Sequence, residues 1–248
     1  MAHADAYLFL HLRPMGQKKL QRFAEIKTFR NVLESPPDIK AKWSTFFNNH
    51  NPITLELACG KGEYAVTLAG MFKEKNFVGV DIKGNRLWVG AKKALDNGLN
   101  NVAFLRTQIE RIDEFFDEGE ISEIWITFPD PQLRVSKAKK RLTHPRFLRL
   151  YNNILAKNGR VHLKTDSPDL YYFTKTVIEL YDCELLQDFD DVYSEEEIIP
   201  ELNIKTYYES LDIAKSEKIY YLQFRLNDVL PVEKDELLKS LICENYAG

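Results

Sequence analysis

The sequence has few cysteines and no spacing that suggests metal ligands. Its 248 residues include only Cys59, Cys183 and Cys243, a scattered and odd-numbered set. It contains no CxxC pair, and its five histidines form no HxxxH or HExxH pattern. These absences argue against a disulfide framework and against a structural metal site. We therefore expect a reduced, cytoplasmic protein that binds no metal.

The sequence also lacks a long apolar run and an excess of positive charge. Residues 7–12 are apolar but far too few to span a bilayer, and no basic segment precedes them. The formal net charge of −3 gives no whole-chain basic signature of nucleic-acid binding. We expect no membrane association, and any contact with nucleic acid must come from local basic segments.

The chain length and the 44% hydrophobic content suit one domain with extensions. We divide the chain into an N-terminal extension and basic arm (1–50), a main domain (51–228) and a C-terminal helical tail that packs on the core (229–248). Residues 1–14 differ in composition from the segment after Met15, which reads GQKKLQRF and is basic. One hypothesis is that translation naturally starts at Met15 and that the first residues are an upstream extension; a start at Met1 is the alternative.

Strand-like and helix-like runs alternate after Pro52. The predicted strands are residues 53–58, 77–81, 102–106, 123–127, 159–164, 184–188 and 219–226. The predicted helices lie near residues 62–72, 84–97, 110–117, 144–156 and 168–181. This alternation of short strands with helices predicts an α/β fold with a doubly wound, mostly parallel sheet. Ligands of such sheets bind outside the carboxyl ends of the strands.

A glycine turn follows the first of these strands in the stretch LELACGKGEYA, residues 55–65. Gly60 and Gly62 begin a GxGxxA spacing, which fits the fingerprint of a turn that approaches a nucleotide cofactor. Asp81 ends the next strand about 20 residues later, where a carboxylate can accept two ribose hydroxyls. These features fit nicotinamide, flavin and S-adenosylmethionine cofactors equally.

Glu56, inside the strand that leads into the turn, distinguishes among these cofactors. A carboxylate beside a pyrophosphate is unfavourable because two like charges repel in a crevice of low dielectric constant. Beside the ammonium group of S-adenosylmethionine the same carboxylate is attractive. The sequence therefore favours S-adenosylmethionine as the cofactor.

The fourth predicted strand ends in TFPDPQLRVSKAKKRL, residues 127–142. Two prolines flank Asp130 and restrict the backbone on both sides of it, which suits a side chain that must point in one direction. Five basic residues follow directly: Arg134, Lys137, Lys139, Lys140 and Arg141. A solvated loop is the ordinary meaning of such a run, but its position behind Asp130 places it at the mouth of the crevice.

FPDP followed by a basic stretch that ends in KKRL resembles the signature of the bacterial tRNA (guanine-N7)-methyltransferases. The order of motifs over residues 16–226 is similar to theirs, with GVDIK (79–83), KTD (164–166) and TYYE (206–209) after the glycine turn. The resemblance implies a Rossmann-like class I methyltransferase fold with S-adenosylmethionine as cofactor. It also implies tRNA as partner, and methylation of N7 of a guanine in the variable loop.

The resemblance also implies roles for individual residues. Cofactor contacts fall on Glu56, Gly60, Gly62, Asp81, Gln108 and Asp130, of which Asp130 is also the catalytic residue. Substrate contacts fall on Arg134, Asp166, Thr206, Tyr207, Tyr208 and Glu209. RNA contacts fall on Ser136, Lys137, Ala138, Lys139, Lys140 and Arg141. We expect a basic N-terminal arm to hold tRNA as well, through Lys18, Lys19, Arg22, Lys27 and Arg30.

The sequence departs from the family pattern at several positions. Ala58 replaces the first glycine of the turn, which an alanine can do if its φ is negative. Gln108 stands where many members carry an acid, and Gln132 stands where tryptophan is common. The class implied by the resemblance is unaffected by these changes.

The residues alone leave other functions open. A nicotinamide-dependent dehydrogenase would share the glycine turn, but it leaves Glu56 and the basic run unexplained. A non-catalytic tRNA-binding protein would have no need of the acids at positions 56, 81 and 130. A methyltransferase that acts on an amino group usually carries NPPY or DPPY in place of FPDP.

Some candidate residues also have ordinary structural explanations. Gln108 could be a surface residue, Asp166 could form an Asx turn before Pro168, and Thr206-x-x-Glu209 has the spacing of a helix capping box. Asp130 could stabilise a cationic product or select guanine through its N1–H and amino group. The sequence does not distinguish a monomer from a homodimer.

Overall fold

A computed structural model of the chain describes residues 15–207, 209–211 and 217–245. Its strands form a single eight-stranded sheet in the order β1-β4-β3-β2-β5-β6-β8-β7. The strands are β1 (Val32–Glu34), β2 (Ile53–Leu57), β3 (Asn76–Asp81), β4 (Val102–Arg106), β5 (Ile121–Thr127), β6 (Leu155–Thr165), β7 (Glu184–Phe189) and β8 (Tyr220–Arg225). Strands β1 to β6 pair in parallel, and β8 is antiparallel to both β6 and β7.

Helices cover both faces of the sheet. They are α1 (Met15–Glu25), α2 (Trp43–Phe47), α3 (Glu63–Met71), α4 (Gly84–Asp96), α5 (Pro145–Asn152), α6 (Pro168–Leu180) and α7 (Lys234–Asn245). Short 3₁₀ segments connect them at Ile26–Thr28, Ile109–Glu114, Val135–Lys140, Val192–Ser194, Pro200–Asn203 and Glu209–Leu211. The predicted fold class, a doubly wound and mostly parallel α/β sheet, is confirmed.

Each face of the sheet has its own hydrophobic core. Leu55 of β2 packs into the core that α2, α5, α6 and α7 cover, to which the last helix contributes Leu238 and Ile242. Trp125 of β5 packs into the other core, beneath α3 and α4. Because successive side chains of a strand point to opposite faces, a central strand buried on both faces is mostly apolar, and Thr54 and Glu56 are the polar exceptions in β2.

The structure differs from the predicted elements at several points. The edge strand β1 was missed, because three residues are too few to show a periodic pattern. The predicted helix 110–117 is a 3₁₀ segment, Ile109–Glu114. The predicted helix 144–156 is wrong at its end: α5 stops at Asn152, and the buried Leu155 begins β6.

Strand order reverses on either side of β2, which pairs with β3 and with β5. The chain goes from β2 outward to β3 and β4, and later returns to fill the other side with β5 and β6. Such a reversal opens a crevice at the carboxyl ends of the central strands. The segments after β2, β3 and β5 therefore surround the position where a ligand binds in this kind of sheet.

The residues that the structure describes lack two features. None of their helices combines the length and apolar character needed to cross a membrane. Nor do these residues contain a group of three or more His, Cys, Asp or Glu side chains arranged to hold a metal ion.

Close packing of α4 against the glycine turn shapes the crevice. A Cβ added to Gly90 of α4 would lie 2.4 Å from the carbonyl oxygen of Lys61 and 2.8 Å from the ring of Phe104. The helix can therefore approach the turn only because residue 90 has no side chain.

We predict that Gly90→Ala destabilises the protein although alanine favours helices. Overpacking against a backbone carbonyl costs about 1–3 kcal/mol, which exceeds the helix-propensity gain of about 1 kcal/mol. Gly70→Ala in α3 is the matched control, since a Cβ there meets nothing within 4 Å. Urea unfolding should show a loss of stability for Gly90→Ala and a small gain for Gly70→Ala. Equal effects of the two changes would contradict the packing argument.

Candidate active site

The glycine turn after β2 contains three residues with left-handed backbone. The φ angles are +54° at Ala58, +56° at Gly60 and +64° at Gly62. A Cβ at Gly62 would lie 2.3 Å from the Phe104 ring, so glycine is required there by space as well as by conformation. The condition of a negative φ at Ala58 is not met, and holding an alanine in this region costs about 1–2 kcal/mol.

Glu56 lies beneath this turn and is buried. Its Oε2 accepts a hydrogen bond of 2.8 Å from the backbone N–H of Ala65, and its Oε1 lies 3.3 Å from the hydroxyl of Thr127. Burial raises the pKa of the Glu56 carboxyl from 4.5 to about 8, although the Ala65 and Thr127 hydrogen bonds act in the opposite direction. Glu56 therefore joins β2, the start of α3 and the end of β5.

Asp81 orders the turn from the neighbouring strand. Its Oδ2 accepts the backbone N–H of Gly60 at 3.0 Å, and its Oδ1 accepts the N–H of Lys83 at 2.7 Å. The carboxylate is mostly buried at the end of β3. Since each carboxylate oxygen has two lone pairs, these bonds leave acceptor positions for the hydroxyls of a ribose.

Two residues lie on the rim of this part of the crevice. Gln108 follows β4, and its side chain is exposed, while its carbonyl accepts the N–H of Arg111 at 3.0 Å. Ile82 directly follows Asp81 and is 50% exposed. No role was predicted for Ile82. An apolar residue directly after the acid that ends a strand is nevertheless a recognisable signal of a surface on which a base can pack.

The FPDP loop follows β5 and has a fixed backbone. Phe128 has a φ of +47°, and its N–H donates to the carbonyl oxygen of Lys164 at 2.8 Å. Asp130 is exposed, and its Oδ1 accepts the N–H of Gln132 at 3.0 Å. This Asx turn, together with the two flanking prolines, sets the direction of the carboxylate.

Arg141 holds the FPDP loop from below. Its Nε donates to the Pro131 carbonyl oxygen at 3.1 Å, and one terminal nitrogen donates to that of Gln132 at 3.4 Å. Its guanidinium carbon lies 4.5 Å from the centre of the Phe173 ring, and the side chain has no exposed surface. The Arg141 side chain therefore supports this loop and presents no surface to RNA in the structure.

The basic strip, residues 134–141, divides into an inner and an outer face. Residues 135, 138 and 141 point inward, because a 3₁₀ helix repeats every three residues. Ala138 is buried with them, so its side chain presents little surface to RNA in the structure. The exposed members of the strip are Arg134, Ser136, Lys137, Lys139 and Lys140.

The TYYE stretch lies against the glycine turn. The N–H of Tyr207 donates to Oε2 of Glu63 at 2.8 Å, and the Lys61 ammonium lies 3.4 Å from the centre of the Tyr207 ring. Thr206 is buried and accepts the N–H of Glu209 at 3.2 Å, which is half of the capping-box geometry. Tyr208 lies outside the described residues. The predicted cofactor turn and the predicted substrate motif are thus in direct contact.

Two further predicted substrate residues lie close to the end of β6. Asp166 directly follows this strand and is half-buried. Glu209 is largely buried, with Oε2 at 3.2 Å from the Lys164 ammonium and Oε1 accepting the hydroxyl of Tyr193. No role was predicted for Lys164, although a lysine at the end of a predicted strand, within the KTD motif, was a usable signal.

We predict that Glu56→Gln makes the stability of the protein less dependent on pH. Because folding raises the pKa of Glu56 from 4.5 to about 8, its favourable contribution is complete below pH 4.5 and is lost as the pH rises through 8. The limiting slope is about 1.4 kcal/mol per pH unit. Glutamine keeps an acceptor for the Ala65 N–H, so the change removes the titration with little change of shape.

Urea unfolding of both proteins from about pH 5 to about pH 9 measures this effect. The difference in stability between variant and wild type should grow in favour of the variant as the pH increases. Parallel pH profiles for the two proteins would show that Glu56 does not titrate in this window.

Comparisons with known proteins identify the family. A family profile described as "Putative methyltransferase" matches residues 50–222. A tRNA (guanine-N(7)-)-methyltransferase of Porphyromonas gingivalis is 52% identical over 200 residues, which are 79% of this chain and 80% of that protein. One of Bacteroides fragilis is 47% identical over 221 residues (86% and 87%), and one of Christiangramia forsetii is 46% identical over 223 residues (86% and 100%).

Solved structures show the same fold at low identity. The 16S rRNA methyltransferase KamB is 14% identical with a TM-score of 0.58 and covers 75% of this chain and 93% of its own. The 16S rRNA (adenine(1408)-N(1))-methyltransferase from Catenulisporales acidiphilia is 15% identical with a TM-score of 0.57, covering 80% and 97%. The fold of the sheet agrees with the identity to the curated relatives, and so does the contact of the glycine turn with the TYYE stretch. The chain belongs to the tRNA (guanine-N(7)-)-methyltransferase family.

Proposed function

We propose that the protein transfers the methyl group of S-adenosylmethionine to N7 of a guanine in the variable loop of tRNA. The observation that carries the proposal is the contact between the glycine turn and the TYYE stretch, through the Glu63–Tyr207 hydrogen bond. This hydrogen bond joins a cofactor-binding element and a substrate-binding element into one continuous wall of the crevice. The names of the curated relatives support tRNA as the substrate.

The chemistry of the crevice fits S-adenosylmethionine. Glu56, Gly60, Gly62 and Asp81 form a turn with two acids and close backbone approach, which suits a ligand with a cationic end and ribose hydroxyls. Bound there, S-adenosylmethionine supplies an electrophilic methyl group. A cation next to Glu56 favours its ionised form, so a group that is mainly protonated in the free protein at neutral pH becomes a counter-ion when the site is filled.

Further cofactor contacts come from the two neighbouring loops. Gln108 offers an amide at the end of β4, where it can meet the adenine edge or the ribose. Asp130 offers a carboxylate at the end of β5, next to β2. Ile82 offers an apolar surface to the adenine ring.

Methylation of guanine N7 requires positioning and no strong base. N7 is an acceptor with a free lone pair, so it can attack the methyl carbon as the bond from sulfur to that carbon breaks. No proton leaves the base, and the product guanine is cationic. Proximity alone can contribute about 7–11 kcal/mol to such a reaction. Asp130 has a fixed and exposed carboxylate that can stabilise the developing positive charge or accept the guanine N1–H and amino group.

The exposed basic residues are placed to hold RNA phosphates. Arg134, Lys137, Lys139 and Lys140 lie on the outer face of the strip that follows Asp130. Phosphate contacts position a nucleic acid without blocking the acceptor edge of the base. Arg134, Asp166 and the TYYE stretch (206–209) remain the candidates for contact with the target nucleotide.

The basic arm lies on α4. Trp88 donates its indole N–H to Oε2 of Glu25 at 2.8 Å, and the guanidinium carbon of Arg22 lies 4.6 Å from the Trp88 ring. Lys19, Lys27 and Arg30 are exposed. We propose that this helix also holds tRNA.

We predict that the purified protein transfers label from radiolabelled S-adenosylmethionine to unmodified tRNA and that digestion yields 7-methylguanosine. Sequencing of the product should place the label in the variable loop. Asp130→Asn keeps an acceptor for the Gln132 N–H but removes the charge, and turnover should fall about 100-fold or more. Glu118→Gln, a change of an exposed acid elsewhere, should leave turnover unchanged.

Two results would contradict this proposal. Tight tRNA binding without transfer of label would favour a tRNA-binding protein without activity. Label on another atom of the RNA would keep the fold and the cofactor but refute guanine N7 as the target.

We also predict that the exposed and buried members of the basic run behave differently. Replacing Lys137, Lys139 and Lys140 by alanine should weaken tRNA binding and reduce the slope of log affinity against log salt by up to about 2–3. Arg141→Met should lower the melting temperature and leave the salt slope unchanged, because Arg141 is buried. Binding titrations at several salt concentrations measure both effects, and an equal change of slope in the two variants would contradict the assignment.

A further inference from the structure

Lys164 is a completely buried lysine at the end of β6. Its ammonium donates to the carbonyl oxygens of Leu202 at 2.9 Å and Ile204 at 3.0 Å. It also lies 3.2 Å from Oε2 of Glu209 and 3.4 Å from the hydroxyl of Tyr193. Burial lowers the pKa of the Lys164 ammonium, and the ion pair with Glu209 opposes this effect.

All of these partners belong to one region, which we call the substrate loop: residues 192–207 and 209, between β7 and β8. The loop contains the described part of the TYYE stretch. Its inner residues Val192, Leu202 and Ile204 pack into the core below α3 and α4. Most of its polar backbone has no strand to pair with, so the Lys164 ammonium serves as the donor for two of its carbonyls.

The backbone of Lys164 contacts the other side of the crevice. Its carbonyl oxygen accepts the N–H of Phe128, the residue that begins the FPDP loop, at 2.8 Å. Its ammonium lies 5.6 Å from the centre of the Phe128 ring. A single residue thus bonds through its main chain to the loop that carries Asp130 and through its side chain to the substrate loop.

A buried ion pair is a poor way to gain stability. Removing an ammonium and a carboxylate from water costs several kcal/mol per ion, and well-packed apolar residues of similar volume are often equally stable or more so. An ammonium with four polar partners instead defines a unique arrangement, since displacing any partner leaves a buried charge unsatisfied. This points to a role in holding geometry.

We propose that Lys164 is a positioning residue that fixes the substrate loop against the FPDP loop, so that the target guanine meets Asp130 in one arrangement. This inference rests on the proposed tRNA methylation. Lys164 does not touch the reacting atoms, because its side chain has no exposed surface. It acts through Glu209 and through the carbonyls of residues 202 and 204.

The first test is hydrogen exchange in the absence of tRNA and cofactor, followed by mass spectrometry. Lys164→Met keeps most of the side-chain volume but removes all four polar contacts. Amides of residues 199–207 should exchange about 10-fold faster or more in this variant, while those of β2 and β5 keep their wild-type protection. Leu163→Ala is the matched control, since it weakens the same strand on the opposite face without touching the substrate loop.

The second test separates cofactor binding from RNA methylation. For Lys164→Met, kcat/KM for tRNA should fall about 30-fold or more, while the dissociation constant for S-adenosylmethionine stays within about threefold of the wild type. Leu163→Ala, corrected for the folded fraction, should retain its kcat/KM within about threefold. If Lys164 only stabilised the fold, both variants would have a smaller folded fraction, and each folded molecule would keep the wild-type kcat/KM.

Glu209→Gln provides a second variant should Lys164→Met not fold. It retains the shape of Glu209 but removes the counter-ion, and residues 199–207 should again exchange faster in the absence of tRNA. Wild-type exchange in the substrate loop for either variant, or wild-type kcat/KM for Lys164→Met, would overturn the inference. Failure of the wild type itself to methylate tRNA would refute the proposed function instead, and the exchange result would still decide whether Lys164 holds the loop.

Discussion

Parallel pairing of β2 with both β3 and β5 is the constraint on which the crevice depends. It brings Glu56, Asp81 and Asp130, which are far apart in sequence, to one end of the sheet. No local preference of these residues could assemble them. The pairing also places the start of α3 over the carboxyl end of β2, where Gly60 and Gly62 allow the backbone to reach a ligand.

The three acids share a chemical group but differ in environment. Glu56 is buried, and burial raises its pKa to about 8; Asp81 is mostly buried and accepts two backbone N–H groups; Asp130 is exposed on a loop with a fixed backbone. Burial and hydrogen bonding therefore assign each carboxylate a different task. In the proposed function the first responds to a cation and the third faces the substrate, while the second holds the turn by its two backbone hydrogen bonds.

The sequence was sufficient for what depends on local pattern. Strand and helix alternation predicted the α/β sheet, and the GxGxxA spacing with Asp81 predicted the turn that Asp81 holds by the Gly60 N–H. It was insufficient where tertiary packing decides. Arg141 reads as part of a surface charge run but is buried, because a 3₁₀ segment turns every third residue inward. The partners of Lys164 lie 29 to 45 residues away along the chain, so no local pattern could reveal them.

The bonds from Arg141 to the carbonyls of Pro131 and Gln132 close a ring of backbone nine to ten residues long. The length of this ring is therefore more constrained than its composition. Substitutions on its outer face change the charge presented to RNA and leave the ring intact. A single inserted or deleted residue between positions 132 and 141 would rotate the three-residue repeat, move the guanidinium out of the core and release the backbone that directs Asp130. The charge on the outer face can vary, but the number of residues between Asp130 and this buried arginine is set by geometry.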